Sequence, residues 1–126
     1  MTQATVLKLK RVYEDSERSD GTRFLVERLW PRGMKKAQLK MDAWLKDVAP
    51  SDSLRRWFGH DPLKWNEFQK KYRAELSDNP HAWKPILEAA KRGAVTLLYS
   101  SRDTEHNNAL VLKSFLEERI AGISHG

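Results

Sequence analysis

Along residues 5–13, Leu7, Leu9 and Tyr13 alternate with Lys8 and Lys10, a period of two that predicts a strand with one wet face near a sheet edge. The polar stretch 14–21 closes in Asp20-Gly21, a turn signal ahead of the apolar run 24–29, which reads as a second strand. Pro31 and Gly33 stop that run. Residues 34–40 form a basic loop or a single helical turn, and 41–48 (MDAWLKDV) fit a strand or a helix. Pro50-Ser51-Asp52 breaks the chain, and Ser51 or Asp52 can cap a short helix through Phe58. After Gly59-His60, Asp61 suits an N-cap with Pro62 as first helical residue, and Trp65, Phe68, Tyr72 and Leu76 follow at helical spacing. Asp78-Asn79-Pro80 ends that helix. Trp83, Ile86, Leu87 and Ala90 then make a further stripe up to Gly93, a natural C′ residue.

The run 94–99 (AVTLLY) is apolar at both parities, as expected of a central strand covered by helices on two sides. A last helix opens at Asn107 or Asn108, buries Ala109, Leu112, Phe115, Leu116 and Ile120, and ends near Gly122. This order predicts a single α/β domain over residues 1–126, with a small, mostly parallel sheet covered by helices. Such open sheets collect ligands at the carboxyl ends of their strands.

Composition narrows the function classes. At 40% hydrophobic and 32% charged residues the chain is of globular type, and an excess of 23 basic over 17 acidic residues (+6) favours anionic partners. The absence of cysteine excludes disulfides, thiolate catalysis and Cys-ligated metals. No stretch resembles a signal peptide or a membrane span, so a cytoplasmic protein without membrane partners is expected. The histidines at 60, 81, 106 and 125 show no metal-binding spacing, and there is no Walker A, GxGxxG or GxSxG sequence. No metal or cofactor is expected.

Three motifs carry a family resemblance: Arg28-Leu29-Trp30-Pro31-Arg32-Gly33, Trp57-Phe58-Gly59-His60-Asp61-Pro62, and Leu98-Tyr99 through Arg102-Asp103 to His106-Asn107. With the sequence around them they closely resemble the YeaO-like branch of domain-of-unknown-function family 488, over nearly the whole chain. The resemblance implies a compact α/β fold and brings no substrate or catalytic residues with it. Two positions depart from the family pattern: Glu27 stands where Asp is expected, and Ser100-Ser101 where small apolar residues are common.

The candidate ligand-binding residues are Arg28, Trp30 and Arg32 after the second strand, and Tyr99, Arg102 and Asn107 after the central one. Arginine offers a planar fork of donors for phosphate or carboxylate. The catalytic candidates are His60, Asp103 and His106, histidine being the side chain that titrates near neutrality. Against these stand structural readings: the arginines as ion-pair members, Trp30 as core, and Asp61, Asp103 or Asn107 as helix caps. The leading expectation is a phosphate-bearing or other anionic small molecule in one crevice, with enzyme activity left open. Arg55-Arg56-Trp57 and Lys70-Lys71-Tyr72-Arg73 interleave cations with aromatics as single-strand binders do, but these aromatics also fit core stripes. A nucleic-acid accessory is therefore the alternative, not the favoured reading. A protein-interaction domain, the third, requires an exposed aromatic patch at Trp30 or Trp44. The sequence leaves oligomeric state and strand order open.

Overall fold

The computed structural model describes residues 7–125, the side chains of 123–125 excepted, so the beginning of the first expected strand lies outside the described residues. Four strands, Leu7–Arg11 (β1), Thr22–Leu25 (β2), Ala43–Trp44 (β3) and Val95–Tyr99 (β4), form one sheet in the order β1-β4-β2-β3. Every neighbouring pair is parallel, with Leu9 opposite Leu97 and Phe24 opposite the same residue on the other side. Four α-helices complete a single α/β domain: Asp52–Phe58 (α1), Trp65–Asp78 (α2), Pro80–Arg92 (α3) and Asn108–His125 (α4).

All five residues of β4 are buried, as its apolar character at both parities requires. The two covers differ from expectation, because helices line only one of them. Phe24, Val26, Val95, Leu97 and Tyr99 pack with Phe68, Tyr72, Ile86, Leu112, Phe115 and Leu116 from the helices. On the other face Val12, Leu25, Leu39 and Leu98 are covered by Trp30, Met34, Met41 and Trp44. The topology explains this asymmetry. The β3–β4 connection carries α1, α2 and α3 across one face, whereas the β1–β2 and β2–β3 connections contain no α-helix and supply the other cover.

That second cover is polar toward the strand beginnings. Lys10, expected on a wet face, reaches Asp20 at 3.0 Å and Glu17 at 2.9 Å. Arg23 is ion-paired to Asp20 and donates to the Lys40 carbonyl at 2.6 Å, while Thr96 Oγ1 donates to the Asp20 carbonyl at 2.8 Å. A buried carboxylate persists here because Lys10, Arg23 and the Glu17 amide all donate to it.

Several boundaries move. β2 ends at Leu25, and after Val26 donates to the Leu98 carbonyl the chain bends away, leaving Leu29 exposed where the sequence pattern puts strand. Residues 41–48 divide into the two residues of β3 and a 3-10 turn at Lys46–Val48, which sends Trp44 to one cover and Val48 to the other. Ser51 caps α1 through the Leu54 amide, and Asp61 accepts from Leu63 N ahead of Pro62, whose first turn is 3-10 before α2 begins. Gly93 is not a left-handed cap: its backbone is extended and leads straight into β4. α4 continues past Gly122. Gly21 is required by its position, with φ of 65° and a would-be Cβ 2.1 Å from the Ala94 carbonyl oxygen.

Candidate functional site at the carboxyl edge of the sheet

A fully parallel sheet brings all its carboxyl ends to one edge, and the loops after β1, β2 and β4 meet there. Glu27, two residues past β2, turns its carboxylate toward the end of β4. Its Oε1 accepts from the Ser100 amide at 2.7 Å and the Ser100 hydroxyl at 2.9 Å. Burial pushes the Glu27 carboxyl above the usual glutamate range; the Ser100 hydrogen bonds, and after them the charges of His60 and Arg55, draw it back only in part. Asn108 Nδ2 donates to the Val26 carbonyl at 2.9 Å and ties the start of α4 to this corner.

The loop after β4 is organised by Asp103. One carboxylate oxygen accepts from the amides of Glu105 at 2.9 Å and His106 at 3.0 Å, and the other meets His106 Nδ1 at 2.9 Å. These donors, the Glu105 amide first, hold the Asp103 carboxyl below its usual range. The contact fixes the imidazole as a carboxylate fixes the histidine of a proton-transfer dyad. His106 stands edge-on to Trp65 at 5.3 Å between ring centroids, Trp65 packs on Phe58 at 5.9 Å, and Phe58 meets His60 at 6.4 Å. One aromatic row thus carries both candidate histidines. Gly59 and His60 adopt consecutive left-handed conformations, φ 52° and 57°, and a non-glycine residue there costs roughly 1–2 kcal/mol.

The remaining candidates divide. Arg28 donates Nε to the Pro50 carbonyl at 2.9 Å and Nη2 to that of Ala49 at 3.2 Å, a tether of the bend after β2 to the chain before α1. Trp30 stacks edge-on to Trp44 at 5.3 Å and donates to the Met34 carbonyl, while Trp44 donates to that of Glu27, so neither forms an exposed patch. Tyr99 is buried in the helical core, and burial raises its phenol. Asn107 is buried as the cap of α4, accepting from Leu110 N at 3.0 Å. Arg32 and Arg102 are exposed, and neither side chain has a hydrogen bond or ion pair among the described residues.

Sequence reasoning missed Arg11, Tyr13, Trp65 and the Glu27–Ser100 contact. Tyr13 donates to the Arg32 carbonyl at 2.8 Å, Arg11 lies over the Tyr13 ring at 4.9 Å, and Arg11 Nε donates to the Ser101 carbonyl at 2.9 Å. The departures at Glu27 and Ser100 were visible separately, and they are the two halves of one interaction. A groove of about 670 Å³ adjoins this corner, lined by Tyr13 and Gly33 together with Glu14, Asp15, Gln38 and Lys40, and carries no imidazole. Among the described residues no cluster of three or more His, Asp or Glu is arranged to hold a metal, and no helix is long and apolar enough to cross a membrane.

Comparison with known proteins gives a consistent kinship. The uncharacterised protein YeaO of Escherichia coli K12 is 44% identical over 110 residues, covering 87% of this chain and 96% of its own length. Uncharacterised proteins of Mycobacterium bovis and Mycobacterium tuberculosis H37Rv are each 38% identical over 119 residues, 94% of this chain and 100% of theirs. No solved structure matches the chain. Residues 6–124 match a family described as the inactive DUF488-N3 subclade, and the chain therefore belongs to that subclade, within the YeaO-like branch to which its three motifs pointed.

Proposed function

We propose that the protein binds a small phosphate-bearing ligand at the carboxyl edge of its sheet and does not transform it. The observation that carries this reading is the contact chain from the Arg32 carbonyl through Tyr13 and Arg11 to Ser101, the neighbour of Arg102. It ties together two loops that each bear an exposed arginine with no internal partner among the described residues, and paired guanidinium forks suit a phosphate. Glu27 and Asp103 supply acceptors for ligand hydroxyls, and His60 and His106 add polar groups beside an aromatic wall. A role in binding alone is supported by the description of the family as inactive. The amides at the start of α4 are a lesser source of anion affinity, since Asp103 and Asn107 already engage those of Glu105, His106 and Leu110.

Calorimetric titration with ribose 5-phosphate and with inorganic phosphate tests this reading. The sugar phosphate saturates one site and is recovered unchanged. Arg32→Ala and Arg102→Ala each weaken it at least about tenfold, as the loss of a charge-assisted hydrogen bond does. Their melting temperatures stay within about 3 °C of the parent, since surface substitutions rarely shift stability more. Absence of saturable binding, or two variants that unfold without a separable binding defect, overturns it.

A further inference from the structure

The sequence interleaves cations and aromatics at 55–57 and 70–73, and the structure separates the two aromatics sharply. Tyr72 is fully buried and donates to the Val48 carbonyl at 2.5 Å, so it belongs to the core. Trp57 on α1 is 37% exposed, and its indole N–H has no acceptor among the described residues. Trp30, Trp44 and Trp83 donate to backbone carbonyls, and Trp65, which like Trp57 has no acceptor among the described residues, is half-buried in the aromatic row. Two ammonium groups lie against the Trp57 ring: Lys64 Nζ at 5.2 Å from its centroid and Lys71 Nζ at 5.1 Å. Lys64 is held there by donating to the Trp57 carbonyl at 2.8 Å. Arg56 and Lys70, next in sequence to Trp57 and Lys71, are exposed with no internal partners among the described residues, and Leu63 is 95% exposed.

We infer that this face docks a single-stranded nucleic acid, one base stacking on Trp57 and the adjoining phosphates meeting Lys64 and Lys71. Charge complementarity selects a polyanion: Lys64 and Lys71 lie against the indole, Arg56 and Lys70 follow next in sequence, and the acidic groups nearest in sequence, Asp61 and Glu67, are ion-paired to neither lysine among the described residues. The aromatic face selects a strand whose bases are unpaired, since stacking needs a free base plane. This surface uses different side chains from the arginine-bearing loops at the carboxyl edge, Trp57, Lys64 and Lys71 in place of Arg32 and Arg102.

Fluorescence anisotropy of the whole protein with a labelled oligothymidylate and oligouridylate of about 12 nucleotides is the test, run between about 50 and 200 mM salt. Binding saturates and weakens steeply with salt. Trp57→Leu reduces affinity at least about fivefold, the smaller end of what a lost base stack removes, and Trp57→Phe restores part of it. Lys64→Ala/Lys71→Ala weakens binding and flattens the salt dependence, whereas the equally charged Lys91→Ala/Arg92→Ala control at the end of α3 changes it little. Glu67→Gln tightens it. Thermal melts of each variant distinguish lost contacts from lost folding, and Trp57→Phe keeps the test sharp if Trp57→Leu unfolds. Equal loss in the control pair, binding governed by Arg32 and Arg102 and indifferent to Trp57, or Trp57-dependent binding to acidic peptides or anionic vesicles with none to oligonucleotides overturns the inference.

Discussion

Glu27 carries a carboxyl in an unusual environment, held by Ser100 and raised by desolvation. A raised carboxyl keeps its proton in the folded protein at a pH where the unfolded chain has released it. Stability then falls as pH rises from the usual glutamate value to the raised folded one. Glu27→Gln retains an oxygen for Ser100 and has no proton to lose. Its stability in urea, relative to the parent, should climb through that interval and level off above it; parallel curves from about pH 4 to 8 would contradict the assignment. Gly21→Ala should destabilise by more than about 1 kcal/mol, because φ is positive and the added carbon meets the Ala94 carbonyl. An unchanged denaturation midpoint would refute that. Individual residues were unevenly legible in the sequence. Asp61 and Ser51 announced themselves as caps through the Pro and apolar spacing that followed. Arg28 and Asn107 carried both a ligand and a structural reading, and the sequence does not reveal that a donor already faces a carbonyl, as Arg28 faces Ala49 and Pro50, whereas the cap made by Asn107 was among its readings.

At the scale of elements, β4 and α4 are what the hydrophobic pattern dictates. Leu97 is fully buried between β1 and β2, and Leu112, Phe115 and Leu116 pack in the same core. Leu97→Ala should cost about 2–5 kcal/mol in chemical denaturation, since neighbouring strands prevent collapse of the cavity; a loss under about 0.5 kcal/mol would deny its central place. The short strands were harder to read. β3 pairs through only two residues, and its neighbours are fixed by tertiary demands, Trp44 against Trp30 and Val48 beneath Tyr72. No periodicity can appear in so short a stretch. The cover opposite the helices escaped for a related reason: loop residues Trp30, Met34, Leu39 and Met41 have no repeat that marks them as a layer.

For the molecule as a whole, parallel pairing is the fact from which the functional reading follows, because it gathers sequence-distant loops at one edge. The alternation of apolar runs and helical stripes made that topology an expectation, and the strand order became known only with the structure. Tyr13 and Arg11 join the Arg32 loop to the Ser101 loop, and the ring contacts of Phe58 and Trp65 bring His60 and His106 to the same region. The Trp57 face and the carboxyl edge therefore predict separable binding properties, sensitive to different substitutions. Binding at the carboxyl edge is read directly by an amide-resolved NMR titration of the protein with ribose 5-phosphate. Saturable shifts should concentrate in residues 27–33, 59–60 and 100–107, with the helix stretch 66–92 little changed. Shifts confined to other parts of the domain, or none at saturating ligand, would contradict it.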